Sequence, residues 1–126
     1  MKWVYAIVAS LLILQFFHVR TSASLPNEVD PRFITAHRGS SSVAPENTLP
    51  AIRQAIRDKA GMVEIDVRLT ADGIAVLSHD DNLKRTAGID LLISQTNYED
   101  LKQIDVSYRF PRRYKDVRIP TLEEAL

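Results

Sequence analysis

The hydrophobic pattern of this chain divides into one long apolar run and a series of short alternating and helical stretches. After Lys2, the segment Trp3–Phe17 holds only Ser10 and Gln15 as polar residues. That is the charged n-region and apolar h-region of a signal peptide, and Thr21-Ser22-Ala23-Ser24 offers small residues for cleavage after Ala23. The competing reading is a retained anchor or the last helix of an upstream membrane domain, although a bilayer span takes about 20 apolar residues. Either reading predicts an extracytoplasmic soluble part, secreted or membrane-anchored, with any membrane association made through residues 3–19. Residues 1–23 are thus expected to be signal or anchor. Residues 24–32, with Pro26, Asn27, Asp30 and Pro31, read as a linker.

Beyond the linker, Phe33-Ile34-Thr35-Ala36 predicts a short strand ending at His37, followed by a loop of Gly39 and three serines. A helix is expected from Asn47 or Thr48, with Pro50 in its first turn, Leu49, Ile52 and Ile56 at helical spacing, and Gly61 ending it. Met62 to Thr70 alternates like one strand: Val63, Ile65, Val67 and Leu69 on one face, Glu64, Asp66 and Arg68 on the other. Asp72-Gly73 predicts a two-residue hairpin turn, and Ile74 to Leu77 an antiparallel return. Thr96-Asn97-Tyr98-Glu99 reads as a capping box for a helix through Ile104, and Thr121-Leu122-Glu123-Glu124 as a second. This order predicts an α/β fold, the opening of a TIM-type (β/α) barrel. A whole barrel takes about 250 residues, so residues 33–126 read as its N-terminal part, truncated to the first strands and helices.

Composition narrows the function classes. The 126 residues are 45% hydrophobic and 25% charged, as in ordinary globular chains. A formal net charge of zero supplies no global field for nucleic acid, so no nucleic-acid partner is expected. With no cysteine, disulfides and thiolate metal sites are excluded.

The chemistry centres on Glu64-Ile65-Asp66. Two carboxylates on one strand face repel unless a cation lies between them, and such oxygen ligands favour a hard divalent ion, Mg²⁺ or Ca²⁺. A solvated surface strand is the plainer alternative. If Asp72-Gly73 forms the turn, His79 lands directly opposite Asp66, about 5 Å away at the backbone. His37-Arg38-Gly39 adds an imidazole, a fork-shaped phosphate ligand and a glycine at one strand end. The basic stretch Asp105–Arg118 could meet anionic headgroups, or be a solvated loop.

Taken in order, Ala36-His37-Arg38-Gly39, Pro45-Glu46-Asn47-Thr48, Glu64-x-Asp66-Val67, Thr70-x-Asp72-Gly73, His79-Asp80, Leu83-x-Arg85-Thr86 and Ile119-Pro120-Thr121-Leu122-Glu123-Glu124 resemble the first half of a glycerophosphodiester phosphodiesterase domain. The resemblance implies a phospholipase-C-like barrel acting on small-molecule glycerophosphodiesters. It makes His37 and His79 the catalytic acid and base, and Glu64 and Asp66 ligands of a divalent metal ion. Arg38 would hold the phosphate, and Glu46 would orient substrate or neighbouring groups. A third carboxylate ligand and a phosphate-binding lysine, usual in the family, would lie on a later strand. The other readings are phospholipase D-type activity on lysophospholipid or sphingomyelin, and an inactive barrel fragment.

Overall fold

Among the described residues two small sheets of two strands each are present, with His37 and Glu64 at strand ends. The computed structural model describes residues 30–126, and the signal-or-anchor reading of residues 1–23 lies outside the described residues. Among the described residues no helix is long and apolar enough to cross a membrane. The end of the expected linker is ordered as a 3₁₀ turn, Pro31–Phe33, in which Asp30 accepts the backbone N–H groups of Arg32 and Phe33.

Strand β1 (Thr35–His37) pairs in parallel with β2 (Met62–Glu64), aligning His37 with Glu64. Between them runs α1 (Leu49–Arg57), which has Thr48 as N-cap and Pro50 in its first turn, as expected. Its buried stripe is different. Ala51 and Ala55 face inward, whereas Ile56 is 65% exposed. Small side chains are needed there because the loop after β1 lies directly on the helix, with Ser40 N–H donating to the Ala51 carbonyl at 3.1 Å.

Met62 to Thr70 is not one strand. The ladder breaks at Ile65-Asp66 and resumes as β3 (Val67–Leu69), antiparallel to β4 (Ala75–Leu77). Asn47 causes the interruption: its Oδ1 takes the Asp66 N–H at 3.0 Å, the donor a continuous ladder would use. The expected apolar face is only partly covered. Val63 and Ile65 are half-buried, but Val67 is 46% and Leu69 61% exposed, since β3 pairs only with β4 among the described residues.

The hairpin loop is also one residue longer than expected. Thr70 N–H donates to the Ile74 carbonyl and Gly73 N–H to the Thr70 carbonyl, which leaves Ala71-Asp72-Gly73 as the loop. Gly73 has φ +81°, the left-handed residue that a three-residue hairpin requires.

The remaining elements are short: α2 (Lys84–Ala87), a 3₁₀ turn at Ile93–Gln95, α3 (Tyr98–Leu101) and α4 (Leu122–Ala125). The capping box expected at Thr96–Glu99 does not form; Thr96 donates to the Leu92 carbonyl instead. Asp72 of the hairpin accepts the Tyr98 N–H and so caps α3 from a distance. The box at Thr121–Glu124 is complete in both directions. Val76, Leu83, Ile93, Leu101, Val106, Val117 and Ile119 form the core. Leu77 N–H donates to the Pro120 carbonyl, fastening the 119–121 segment to β4. The basic stretch is a loop clipped at its base, where Asp105 accepts the N–H groups of Ser107, Asp116 and Val117.

Candidate active site

The end of β1 turns through two consecutive left-handed residues, Arg38 (φ +56°) and Gly39 (φ +75°). For Arg38 this conformation costs about 1–2 kcal/mol, and such strain persists where surrounding contacts hold it. Those contacts are clear. Arg38 N–H donates to Glu64 Oε2 at 3.0 Å, and Nη1 donates to Glu46 Oε1 at 3.0 Å. Its Nε lies 3.3 Å from Asp66 Oδ2, close enough for charge attraction, yet misaligned for a hydrogen bond. Nη2 makes no hydrogen bond among the described residues. The guanidinium is therefore a mostly buried cation between Glu46 and Asp66, while Glu64 holds the Arg38 backbone.

Glu64, through the Arg38 backbone N–H, and Asp66, beside the Arg38 guanidinium, both lie against Arg38, although the strand expected to give them one face is broken between them. Asp66 is held further by Asn47, whose Nδ2 donates to Oδ2 at 2.9 Å. Asn47 has φ +54°, a third left-handed residue at the same place. His37 projects at the strand end, with Nε2 3.9 Å from Glu64 Oε2 and the side chain 68% exposed. Among the described residues no three His, Asp or Glu side chains come together as a complete metal cage.

His79 does not stand opposite Asp66. The β3–β4 register pairs Val67 with Leu77, and Ser78 N–H donates to the Asp66 carbonyl. The three-residue loop shifts the pairing by one, and in a strand a shift of one reverses the facing side. His79 instead follows β4, its carbonyl held by Arg68 Nε and Nη2 at 2.8 and 2.6 Å. Its Nδ1 lies 2.6 Å from Asp80 Oδ1.

Glu46 is the most enclosed carboxylate of the group. It meets Arg38 and also the Arg85 fork, with Arg85 Nη1 to Oε2 at 2.5 Å and Nη2 to Oε1 at 2.8 Å. Hydrogen bonds from Arg85, then Arg38, hold its carboxyl below the usual range although burial opposes this. Asp80 is lowered in the same way by Arg85 and His79. Arg109, from the clipped basic loop, comes within 4.0 Å of Glu46.

Asn47, Asp80 and Arg85 had no site role in the sequence reading beyond membership of motifs. Asn47 could have been found only through its backbone, because a left-handed asparagine leaves no mark in hydrophobic periodicity. Arg85 contacts a residue 39 positions away, a pairing that spacing cannot show.

Known proteins resemble this chain in sequence and fold. Residues 37–126 match the glycerophosphoryl diester phosphodiesterase family. Mouse glycerophosphodiester phosphodiesterase 1 is 42% identical over 93 residues, which are 72% of this chain and 28% of that protein. A glycerophosphodiester phosphodiesterase of Bacillus altitudinis is likewise 42% identical over 93 residues, covering 74% of this chain and 38% of its own. A phosphodiesterase of Oleispira antarctica, solved with the product sn-glycerol-3-phosphate, is 48% identical with a TM-score of 0.69, over 73% of this chain and 37% of that one. The Thermotoga maritima enzyme is 40% identical with a TM-score of 0.62, over 74% and 37%. The chain therefore spans roughly a third of the length of these relatives, and its described fold is that of one part of their TIM barrel. On sequence, fold and motif order together, the chain belongs to the glycerophosphodiester phosphodiesterase family.

Proposed function

We propose that this chain contributes the His37, Arg38, Glu46, Glu64, Asp66 and His79 portion of a metal-assisted hydrolase that converts glycerophosphodiesters to glycerol 3-phosphate and an alcohol. The observation that carries this reading is the gathering of Glu64 and Asp66 around Arg38 beside His37. The sn-glycerol-3-phosphate bound by the Oleispira antarctica relative supports the proposed substrate class.

The residues present suit a divalent ion. Glu64 and Asp66 engage Oε2 and Oδ2, while Glu64 Oε1 and Asp66 Oδ1 accept no hydrogen bond among the described residues. Mg²⁺ often takes only one or two carboxylates and fills its shell with water and substrate phosphate, whereas Ca²⁺ takes 6–8 oxygens and needs more from elsewhere. Glu64 and Asp66 would hold the ion, and when bound it polarises the phosphoryl oxygens. Arg38 has Nη2 left to donate to a phosphate oxygen; Glu46 and Asp66 fix the direction of that donor. One histidine takes the proton from the attacking glycerol hydroxyl as its oxygen bonds to phosphorus. The other gives a proton to the departing alkoxide as its bond to phosphorus breaks. Water then opens the cyclic phosphate with the two roles exchanged.

The test is release of glycerol 3-phosphate from glycerophosphocholine by the full-length protein, with Mg²⁺ or Ca²⁺ present. His37→Ala and His79→Ala should each lower turnover by about 10²-fold or more, the usual weight of one acid–base group, with unchanged circular dichroism. Near-normal turnover in either variant removes that histidine from the chemistry. Chelation should abolish activity and added metal restore it. Equal or faster cleavage of lysophosphatidylcholine would move the substrate class to the phospholipase D-type reading. An extracytoplasmic location belongs to the same proposal, and processing after Ala23 in the secreted protein, read by mass spectrometry, would support it.

A further inference from the structure

Asp80 and Arg85 join the two halves of the site and have no part in the reaction as written. His79 Nδ1 lies 2.6 Å from Asp80 Oδ1, and Asp80 Oδ2 accepts from Arg85 Nε at 2.7 Å. Arg85 then spends both terminal nitrogens on Glu46, at 2.5 and 2.8 Å. Glu46 Oε1 also accepts Arg38 Nη1 at 3.0 Å. All three nitrogens of one guanidinium are thus used in a single chain that runs from His79 to Arg38.

The direction of each bond follows from its partners. A carboxylate can only accept, so the contact with Asp80 requires the proton on His79 to sit at Nδ1. Nε2 is then the nitrogen left to exchange a proton with substrate. Arg85 and His79 together keep the Asp80 carboxyl below its usual range, which preserves its acceptor role at neutral pH. On the Glu46 side, the planar fork fills one edge of the carboxylate and leaves Oε1 shared with Arg38.

Resting on the hydrolase reading, we infer that Arg85 is a positioning residue that sets the tautomer of His79 through Asp80 and the aim of Arg38 through Glu46. A fork does this where a point charge cannot. Lysine in its place could reach Asp80 or Glu46 but could not bridge both with the same geometry.

Two measurements test this. The first needs no activity: long-range ¹H–¹⁵N spectra of His79 in the full-length protein at alkaline pH. The Nδ1–H tautomer is expected, against the Nε2–H form favoured by free histidine, and Arg85→Met or Asp80→Asn should shift the population toward Nε2–H. The second is kinetics on the full-length protein. Asp80→Asn should lower kcat by about 10- to 100-fold, the size typical of a partner that orients a histidine, with KM little changed. Glu46→Gln should act mainly on KM through Arg38. Arg85→Lys should impair both and fail to rescue Arg85→Met. A purely structural ion pair would shift melting temperature without moving the tautomer or splitting kcat from KM.

An Nε2–H tautomer in the wild-type chain, or full rescue by lysine, overturns the inference and leaves the hydrolase reading intact. The expected tautomer together with a near-normal His79→Ala protein removes His79 from the chemistry, and a full-length protein that releases no glycerol 3-phosphate from glycerophosphocholine overturns the hydrolase reading instead.

Discussion

A Cβ placed at Gly39 would sit 2.7 Å from the Ala51 carbonyl carbon, and the residue has φ +75°. Gly39→Ala therefore meets two penalties, left-handed strain of about 1–2 kcal/mol and overpacking of about 1–3 kcal/mol. Chemical denaturation should show a loss of about 2–4 kcal/mol, the two ranges not adding fully because α1 can yield slightly. Gly73 provides the contrast. Its φ is +81° but nothing lies within 4 Å of the added carbon, so Gly73→Ala should cost only the conformational part, about 1 kcal/mol. Equal losses in the two variants would mean that the loop carrying Arg38 does not depend on its contact with α1. At this scale the histidines, carboxylates and Arg38 were legible, because residue type announces chemistry. Asn47 was not: its role depends on one backbone angle and a partner 19 residues away.

At the scale of elements, two signals of the same Thr-x-x-Glu pattern had different outcomes. The box at Thr121 forms, with Thr121 Oγ1 accepting from the Glu124 N–H and the Glu124 carboxylate returning to the Thr121 N–H. The box at Thr96 does not, because Thr96 turns its hydroxyl to Leu92 and Asp72 supplies the cap. Thr121→Ala and Asp72→Ala should each destabilise by about 1 kcal/mol, the usual value of a cap. Glu99→Ala should stay within about 0.5 kcal/mol, since among the described residues Glu99 pairs with Lys102 at the surface. Thermal melts of the three variants check the order, and a Glu99 effect as large as that of Asp72 would contradict it. The hairpin carries the same lesson. Alternation located β4 within a residue but merged β2 and β3 into one strand, and Thr70–Ile74 closure set the hairpin register. That single step put Ser78, not His79, beside Asp66.

Across the molecule, the lowered carboxylates define how stability depends on pH. Glu46 and Asp80 are held below their ordinary range by Arg85, with further help from Arg38 and His79 respectively. A group lowered in the folded state stabilises fully above its unfolded value, and that contribution disappears as pH falls through the folded value. Stability should therefore drop below about pH 4, the ordinary range for such groups. Glu46→Gln should be less stable than wild type at pH 7, and the gap should narrow as the pH is lowered. A gap that widened in acid would show that Glu46 does not hold its proton off in the fold. Residue types, motif order and hydrophobic periodicity by themselves determined the family, the α/β class, the first helix and the return strand of the hairpin, because each depends on neighbours close in sequence. Only the tertiary structure decided the hairpin register, the break at Asp66, the cap on α3 and the Arg85 fork between Asp80 and Glu46. Those depend on which distant groups satisfy a donor or a charge, and local sequence carries no record of that.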